Sequence, residues 1–332
     1  MSDPIPPSDW EDRITARPAA RPGDPGHGHS FPPRPETVRV TPAHLSALDR
    51  EVSHDLDGHL PEGVPVRAVP RPVPPEQVRP PLWRRPAGAE GDDRGEATGV
   101  FRPDDRFEFS DTSFPWRTCG RVQTPAGWAS GVMVGPRHVL TASHAVPWLA
   151  SGGADWMTYT PAQFDTSTPF GTANSTRVYS WLRAHGADGI DSTEAAFDYV
   201  VCVLDRRLGD TVGWMGSRTY STDWDAKPLW GHVGYPFDIG SGVRPVYHPR
   251  GVMDRTVAES TAGRDSYRIV HRNDAVGGQS GGPFFGWWDG DPWPRVVAGQ
   301  SAENWGGPGG PNAAGGGSAL PVLIDYARSV EP

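Results

Sequence analysis

The sequence predicts an all-β fold for most of the chain, and three observations carry the prediction. Beyond residue 100 the chain reads as runs of five to eight residues rich in β-branched and aromatic side chains, with Gly, Pro, Asp and Asn between them. Only the last stretch, "LPVLIDYARSV" (320–330), has sustained helical apolar spacing, with Pro321 tolerated near its start. The prolines crowd the other end, 19 of the 37 lying in residues 1–100, so the packed part must be sought after them. Many short strands with turns between them fit a sandwich or closed barrels.

In chain order, residues 1–99 form a Pro-rich leader containing "FPPRPE" and "VPRPVPPEQVRPPLWRRPAGAEGDDRG". With few apolar clusters it cannot bury much, which predicts an extended, largely disordered arm dispensable for the fold. One helix-like island interrupts it, "TPAHLSALDREVSHDL" (41–56), with Thr41 as N-cap and Pro42 after it. Residues 100–332 carry most of the aromatic side chains and form the second domain. Its strand candidates are "TCGRVQT" (118–124), "WASGVMVG" (128–135), "HVLTA" (138–142), "DYVVCVL" (198–204), "LWGHVGY" (229–235), "YRIVH" (267–271), "GPFFGWW" (282–288) and "RVVAGQ" (295–300).

Formal net charge is −9, spread along the chain, and Lys227 is the single lysine beside an arginine majority. No basic stripe points to nucleic acid. No apolar run approaches the roughly 18 residues of a membrane span. The first thirty residues contain no apolar core of a secretory signal, and cysteines are sparse, which together predict a reducing, cytoplasmic setting. For Cys119 and Cys202, in strand-like contexts, the sequence leaves both free thiols and a disulfide open.

The chemistry concentrates in three places. "DAVGGQSGGPFF" (274–285) sets four glycines around one serine, which suits a backbone that must approach something closely beside a nucleophile. "GVMVGPRHVLTASHAV" (131–146) runs a strand into a turn carrying His144, and "EAAFDYVVCVLD" (194–205) puts Asp198 at the mouth of a buried strand. Each alone has an ordinary structural explanation as a cap, a turn residue or a loop. Together, in the order His144, Asp198, Ser280, they supply a nucleophile, a base and a carboxylate to orient the base. No histidine spacing defines a zinc site and nothing calls for a cofactor.

"SGVMVGPRHVLTASHAV", "FDYVVCVL" and "GGQSGGP" resemble the His, Asp and Ser motifs of chymotrypsin-fold (trypsin-like) serine peptidases, nearest to the bacterial glutamyl-endopeptidase branch. "VFRPDDRFEFSDTSFPWRTCGRV" (100–122) is similar to that branch's mature N-terminal segment, and "HVGYPFD" (232–238) to its Gly-Tyr-Pro loop. The resemblance spans about residues 100–330. It implies two six-stranded antiparallel β-barrels, parted near residues 205–228, with the site in the cleft and a C-terminal helix after them. It also implies His144, Asp198 and Ser280 as a catalytic triad and the N–H groups of Gly278 and Ser280 as an oxyanion hole. The substrate would be a protein or peptide.

Several positions depart from the family. Where relatives carry a disulfide around the histidine, this chain has Ala129 and Ala145; Gln279 replaces the aspartate that digestive members keep before the serine. Val100 is the expected first residue after leader removal, following the small, flexible "GEATG". Ser301 stands where glutamyl endopeptidases place a histidine in the S1 wall. Asp274, six residues before Ser280, stands where trypsin-like enzymes hold their Arg/Lys-binding carboxylate, so the expected pocket is Asp274, Ala275, Val276 and Ser301; an open carboxylate there selects Arg or Lys at P1, whereas one that accepts backbone N–H groups leaves a small, neutral pocket set by Ala275, Val276 and Ser301. Two other functions fit the same sequence: a protease-fold binding protein that docks a partner through its Pro-rich arm, and an esterase-like acyl hydrolase.

Overall fold

The computed structural model describes residues 2–10, 32–78, 99–101, 103–185, 189–261 and 263–332. The leader supplies β1 (Glu36–Arg39), α1 (Pro42–Ser46) and β2 (Asp55–Leu56), and β3 (Phe107–Glu108) follows. The first barrel contains β4 (Cys119–Thr124), β5 (Gly127–Gly135), β6 (His138–Thr141), β7 (Thr158–Pro161) and β8 (Ala173–Ser180); after α2 (Ser192–Ala196) comes its last strand, β9 (Val200–Leu204). α3 (Gly209–Val212) and β10 (Gly216–Arg218) lead to the second barrel: β11 (Pro228–Gly234), β12 (Val246–Thr261), β13 (Arg264–His271), β14 (Pro283–Gly286), β15 (Arg295–Ala302) and β16 (Asn312–Gly316). The chain ends in α4 (Ala319–Val330).

Six antiparallel strands close each barrel. The first runs β8-β7-β4-β5-β6-β9 and closes through β8–β9; the second runs β14-β11-β12-β13-β16-β15 and closes through β14–β15. Closure removes the edges that an open sheet would leave. Val122, Met133, Val139, Val178, Val200 and Leu204 fill the first barrel, and Trp230, Met253, Ile269, Phe284 and Val297 the second. A third buried cluster joins the barrels to α4 and the leader, through Trp10, Val40, Trp116, Phe285, Leu320 and Ile324. β9 is apolar at every position because α4 packs against it outside the barrel. Both cysteines are free and buried, on β4 and β9, and burial pushes each thiol up to about 12.

The C-terminal helix and the eight expected strands are in place, with ends shifted by a few residues. Three of the barrel strands that went unforeseen lack the expected pattern. β16, "NAAGG", has no β-branched residue, β12 contains Pro249, Gly251 and Asp254, and β8 mixes Asn, Ser, Thr and Arg with Ala, Val and Tyr. Pairing on both sides holds each as a strand, overriding weak propensity. The short helix expected near 41–56 is there with Thr41 as its N-cap, though confined to the single turn of α1.

The described stretches of the leader also correct the expectation of an unpacked arm. Trp10 is fully buried, with its ring 5.8 Å from Phe285 and 6.4 Å from Trp287. β1 extends the first barrel's sheet beside β8, in parallel, while β2 pairs with β10 at the edge of the second. Arg50 makes a two-pronged contact, 2.7 and 2.8 Å, with Asp325 of α4. A Pro-rich chain cannot build a core of its own, but it can lend single side chains and edge strands to surfaces already formed. The "GEATG" processing stretch falls largely outside the described residues, which include only its Gly99. Among the described residues, no helix is long and apolar enough to cross a membrane.

Candidate active site

Three loops deliver the sequence-predicted trio to one place. His144 follows β6, in a turn braced by Ser143, whose hydroxyl donates to Leu182 O and accepts from Ala184 N. Asp198 lies between α2 and β9, and α2 is fixed at its start by a reciprocal Asp191–Glu194 capping box. Ser280 comes from the second barrel, on the loop between β13 and β14.

Glycine lets this loop cross to the first barrel. Gly281 has φ +77°, and a Cβ there would lie 2.3 Å from Ala142 N and 2.5 Å from Thr141 Oγ1. Thr141 ends β6, so the contact brings Ser280 beside the turn carrying His144. Ser130 of β5 clasps the loop from the same side. Its N–H donates to Ser280 O (2.9 Å) and its hydroxyl to Gly278 O (2.7 Å).

The resulting geometry is a continuous relay. His144 Nε2 is 2.9 Å from Ser280 Oγ, and His144 Nδ1 is 2.6 Å from Asp198 Oδ2. The His144 backbone N–H donates to Asp198 Oδ1 at 2.8 Å. Asp198 is wholly buried. Burial alone would raise its pKa; the charge of His144 and hydrogen bonds from His144 and Ser301 outweigh it and hold the carboxyl below the usual range. For His144, burial works to lower the pKa, yet Asp198 wins and the imidazole is raised above its ordinary value. With Nδ1–H directed at the carboxylate, Nε2 is left to accept a proton from the serine.

Among the described residues, the N–H groups of Gly278 and Ser280 donate to no protein acceptor, so both remain available to a ligand oxygen. Gly278 has φ +95°, and a Cβ would meet Tyr235 O at 2.4 Å. Gln279, between them, points into the protein. Its Oε1 accepts from Val276 N (3.0 Å) and from Arg106 Nη1 (3.1 Å). The Arg106 side chain is fully buried and paired with Asp104 and Asp238 at 2.9 and 2.7 Å. Sequence reasoning missed Arg106; its one signal was an arginine beside two aspartates in "PDDR" (103–106).

The expected pocket residues are placed differently. Ser301 was expected on the pocket wall, but its hydroxyl donates to Asp198 Oδ2 at 2.6 Å, making it a further support for the carboxylate. Of the two placements open for Asp274, the structure takes the second: it is buried, its Oδ1 accepts from Phe101 N at 2.6 Å, and its Oδ2 faces His248 Nδ1 at 3.7 Å. Burial first, then the nearby negative charges of Asp104 and Asp105, push its carboxyl up to about 7 against the Phe101 hydrogen bond. Ala275 and Val276 are buried, and Ala275 N donates to Gly99 O at 3.1 Å.

No protein-family model matches the chain. In sequence it is similar to a glutamyl endopeptidase of Bacillus licheniformis, 30% identical over 188 residues that cover 56% of this chain and 54% of that protein. It is also similar to an extracellular metalloprotease of Bacillus subtilis, 26% identical over 200 residues, 57% of this chain and 58% of that one. The chain thus spans just over half the length of the curated relatives it matches. A solved Glu endopeptidase in complex with MPD shares the fold, with TM-score 0.54 and 20% identity over 69% of this chain and 99% of that one. The two-barrel fold is chymotrypsin-like, and the likeness to the glutamyl-endopeptidase branch read from the motifs holds.

Proposed function

We propose that this relative of the chymotrypsin-fold serine peptidases, of the glutamyl-endopeptidase branch, is a serine endopeptidase. The observation carrying the reading is the relay Ser280–His144–Asp198, at 2.9 and 2.6 Å, beside two unclaimed N–H groups. Ser280 Oγ attacks the scissile carbonyl as His144 Nε2 takes its proton. Gly278 N–H and Ser280 N–H stabilise the oxyanion, where one donor is worth about 3–4 kcal/mol in the transition state. Asp198 holds the imidazole in the right tautomer and stabilises its charged form, and Ser301 holds Asp198. The imidazolium then protonates the leaving amine, and water repeats the sequence to release the acyl group. Because His144 must be neutral to act as base, hydrolysis rises with pH through a value above the ordinary imidazole pKa of about 6.5.

The Arg/Lys preference expected at P1 needs an open carboxylate, and Asp274 offers none, since one oxygen is bound by Phe101 and the other faces His248. The name of the Bacillus licheniformis relative brings Glu forward as the P1 residue to compare first with Arg. The leading test is labelling of the full chain by a fluorophosphonate probe, with peptide cleavage measured alongside. Labelling and cleavage should both vanish in Ser280→Ala. Cleavage that survives in Ser280→Ala sinks the reading, and brings forward the metal-dependent chemistry in the Bacillus subtilis relative's name.

A further inference from the structure

Away from the Ser280 relay, three segments bring together Asp105, His248 and Asp274, with one donor atom of each lying within 4.8 Å of the others. His248 comes from β12, and Asp274 from the loop after β13. Asp105 precedes β3, whose Phe107 pairs with Tyr247, the neighbour of His248, so the sheet itself fixes Asp105 relative to the imidazole. His248 is about nine-tenths buried, and its Nδ1 has no hydrogen-bond partner. That nitrogen points between the two carboxylates, 3.4 Å from Asp105 Oδ1 and 3.7 Å from Asp274 Oδ2.

The distances choose between two explanations. An imidazolium hydrogen-bonded to a carboxylate would sit about 2.7–2.9 Å away. Donors held about 2.0–2.2 Å from one tetrahedral ion lie roughly 3.3–3.6 Å apart. The 3.4 Å separation falls in the range an ion would set and the 3.7 Å one lies just beyond it, and both are too long for a shared proton. We propose that Asp105, His248 and Asp274 bind a divalent transition-metal ion of the Zn²⁺ class.

One imidazole nitrogen and two carboxylate oxygens are a borderline donor set suited to such an ion, whereas Ca²⁺ takes six to eight oxygens. Two carboxylates and a neutral imidazole balance a +2 charge. Phe101 N, bonded to Oδ1 of Asp274, holds that carboxylate so that Oδ2 faces the site. The side chain of Asp105 is 39% exposed, which gives the ion a way in and a fourth position for water. The ion is a brace: it ties the segment entering β3 to the loop that leads to Ser280. The ligands are far apart in sequence, so no spacing motif announces them.

The test uses the full chain stripped of metal with EDTA and desalted, titrated with ZnCl2 by calorimetry and with Co²⁺ by visible absorption. One equivalent of Zn²⁺ should bind, Co²⁺ should give the intense band of a four-coordinate site, and thermal unfolding should shift upward with added Zn²⁺. Asp105→Asn should weaken Zn²⁺ binding by at least about tenfold, and His248→Gln by more. Asp105 is exposed enough for its variant to keep the fold should His248→Gln misfold. Absence of stoichiometric Zn²⁺ uptake, or equal affinity in the wild type and Asp105→Asn, overturns the proposal. These are binding readouts, so their outcome is independent of whether the chain hydrolyses peptides.

Discussion

Arg106 donates to Gln279, and Gln279 lies between the two N–H groups proposed for the oxyanion. That makes Arg106 a positioning residue rather than a catalytic one. A hydrogen bond to a charged group contributes about 1.5–3 kcal/mol, and its loss should loosen the loop where the transition state needs it fixed. Gln279→Met keeps the volume, removes the acceptor and leaves Arg106 paired with both aspartates. We expect kcat to fall about tenfold or more while KM stays within about twofold. Arg106→Lys, which keeps the charge, should lose less. A folded Gln279→Met with wild-type kcat would show that the anchor does not matter.

At the scale of elements, the leader decides the most. Pro density speaks only to what the segment can bury by itself, and says nothing about surfaces elsewhere that could receive it. Trp10 fills a site between Phe285 and Trp287, and Leu45 and Leu56 bury against the same cluster. Trp10→Ala should therefore cost about 3–5 kcal/mol, as for other fully buried aromatic side chains, read as a lower denaturant midpoint at unchanged slope. A change below about 1 kcal/mol would return the leader to the status of a loose arm. Strands were legible where β-branched residues cluster, as in β9, and illegible where pairing imposes them on "NAAGG" of β16. Propensity is local, whereas a ladder is supplied by neighbours distant in sequence.

At the scale of the molecule, His138, His232 and His271 are fully buried, and burial holds each down to about 3. Between that value and about 6.5 the unfolded chain binds protons that the folded chain refuses. Stability is thus fully present above about pH 6.5 and is lost as pH falls, by about 1.4 kcal/mol per unit for each histidine. His138→Gln removes one such group. The stability gap between wild type and variant should narrow by about 2 kcal/mol from pH 7 to pH 5, measured by denaturant titration at both. Parallel curves would mean that His138 is not held neutral. His144 follows the opposite sign: its raised pKa contributes stability present at low pH and lost as pH rises through the folded value.

The sequence by itself determined the all-β class, the C-terminal helix and the trio His144, Asp198 and Ser280, because each rests on a local pattern: β-branched runs, helical spacing, glycines around a serine. Only the tertiary structure decided what those residues touch. Ser301 supports Asp198, Asp274 turns its carboxylate towards Phe101 and His248, and Arg106 reaches Gln279. The leader likewise acquires its place only from the barrels. The physical reason is common to all four. A side chain's partners are fixed by barrel closure and by the meeting of two barrels, which join residues far apart in the chain, and no short-range pattern records them.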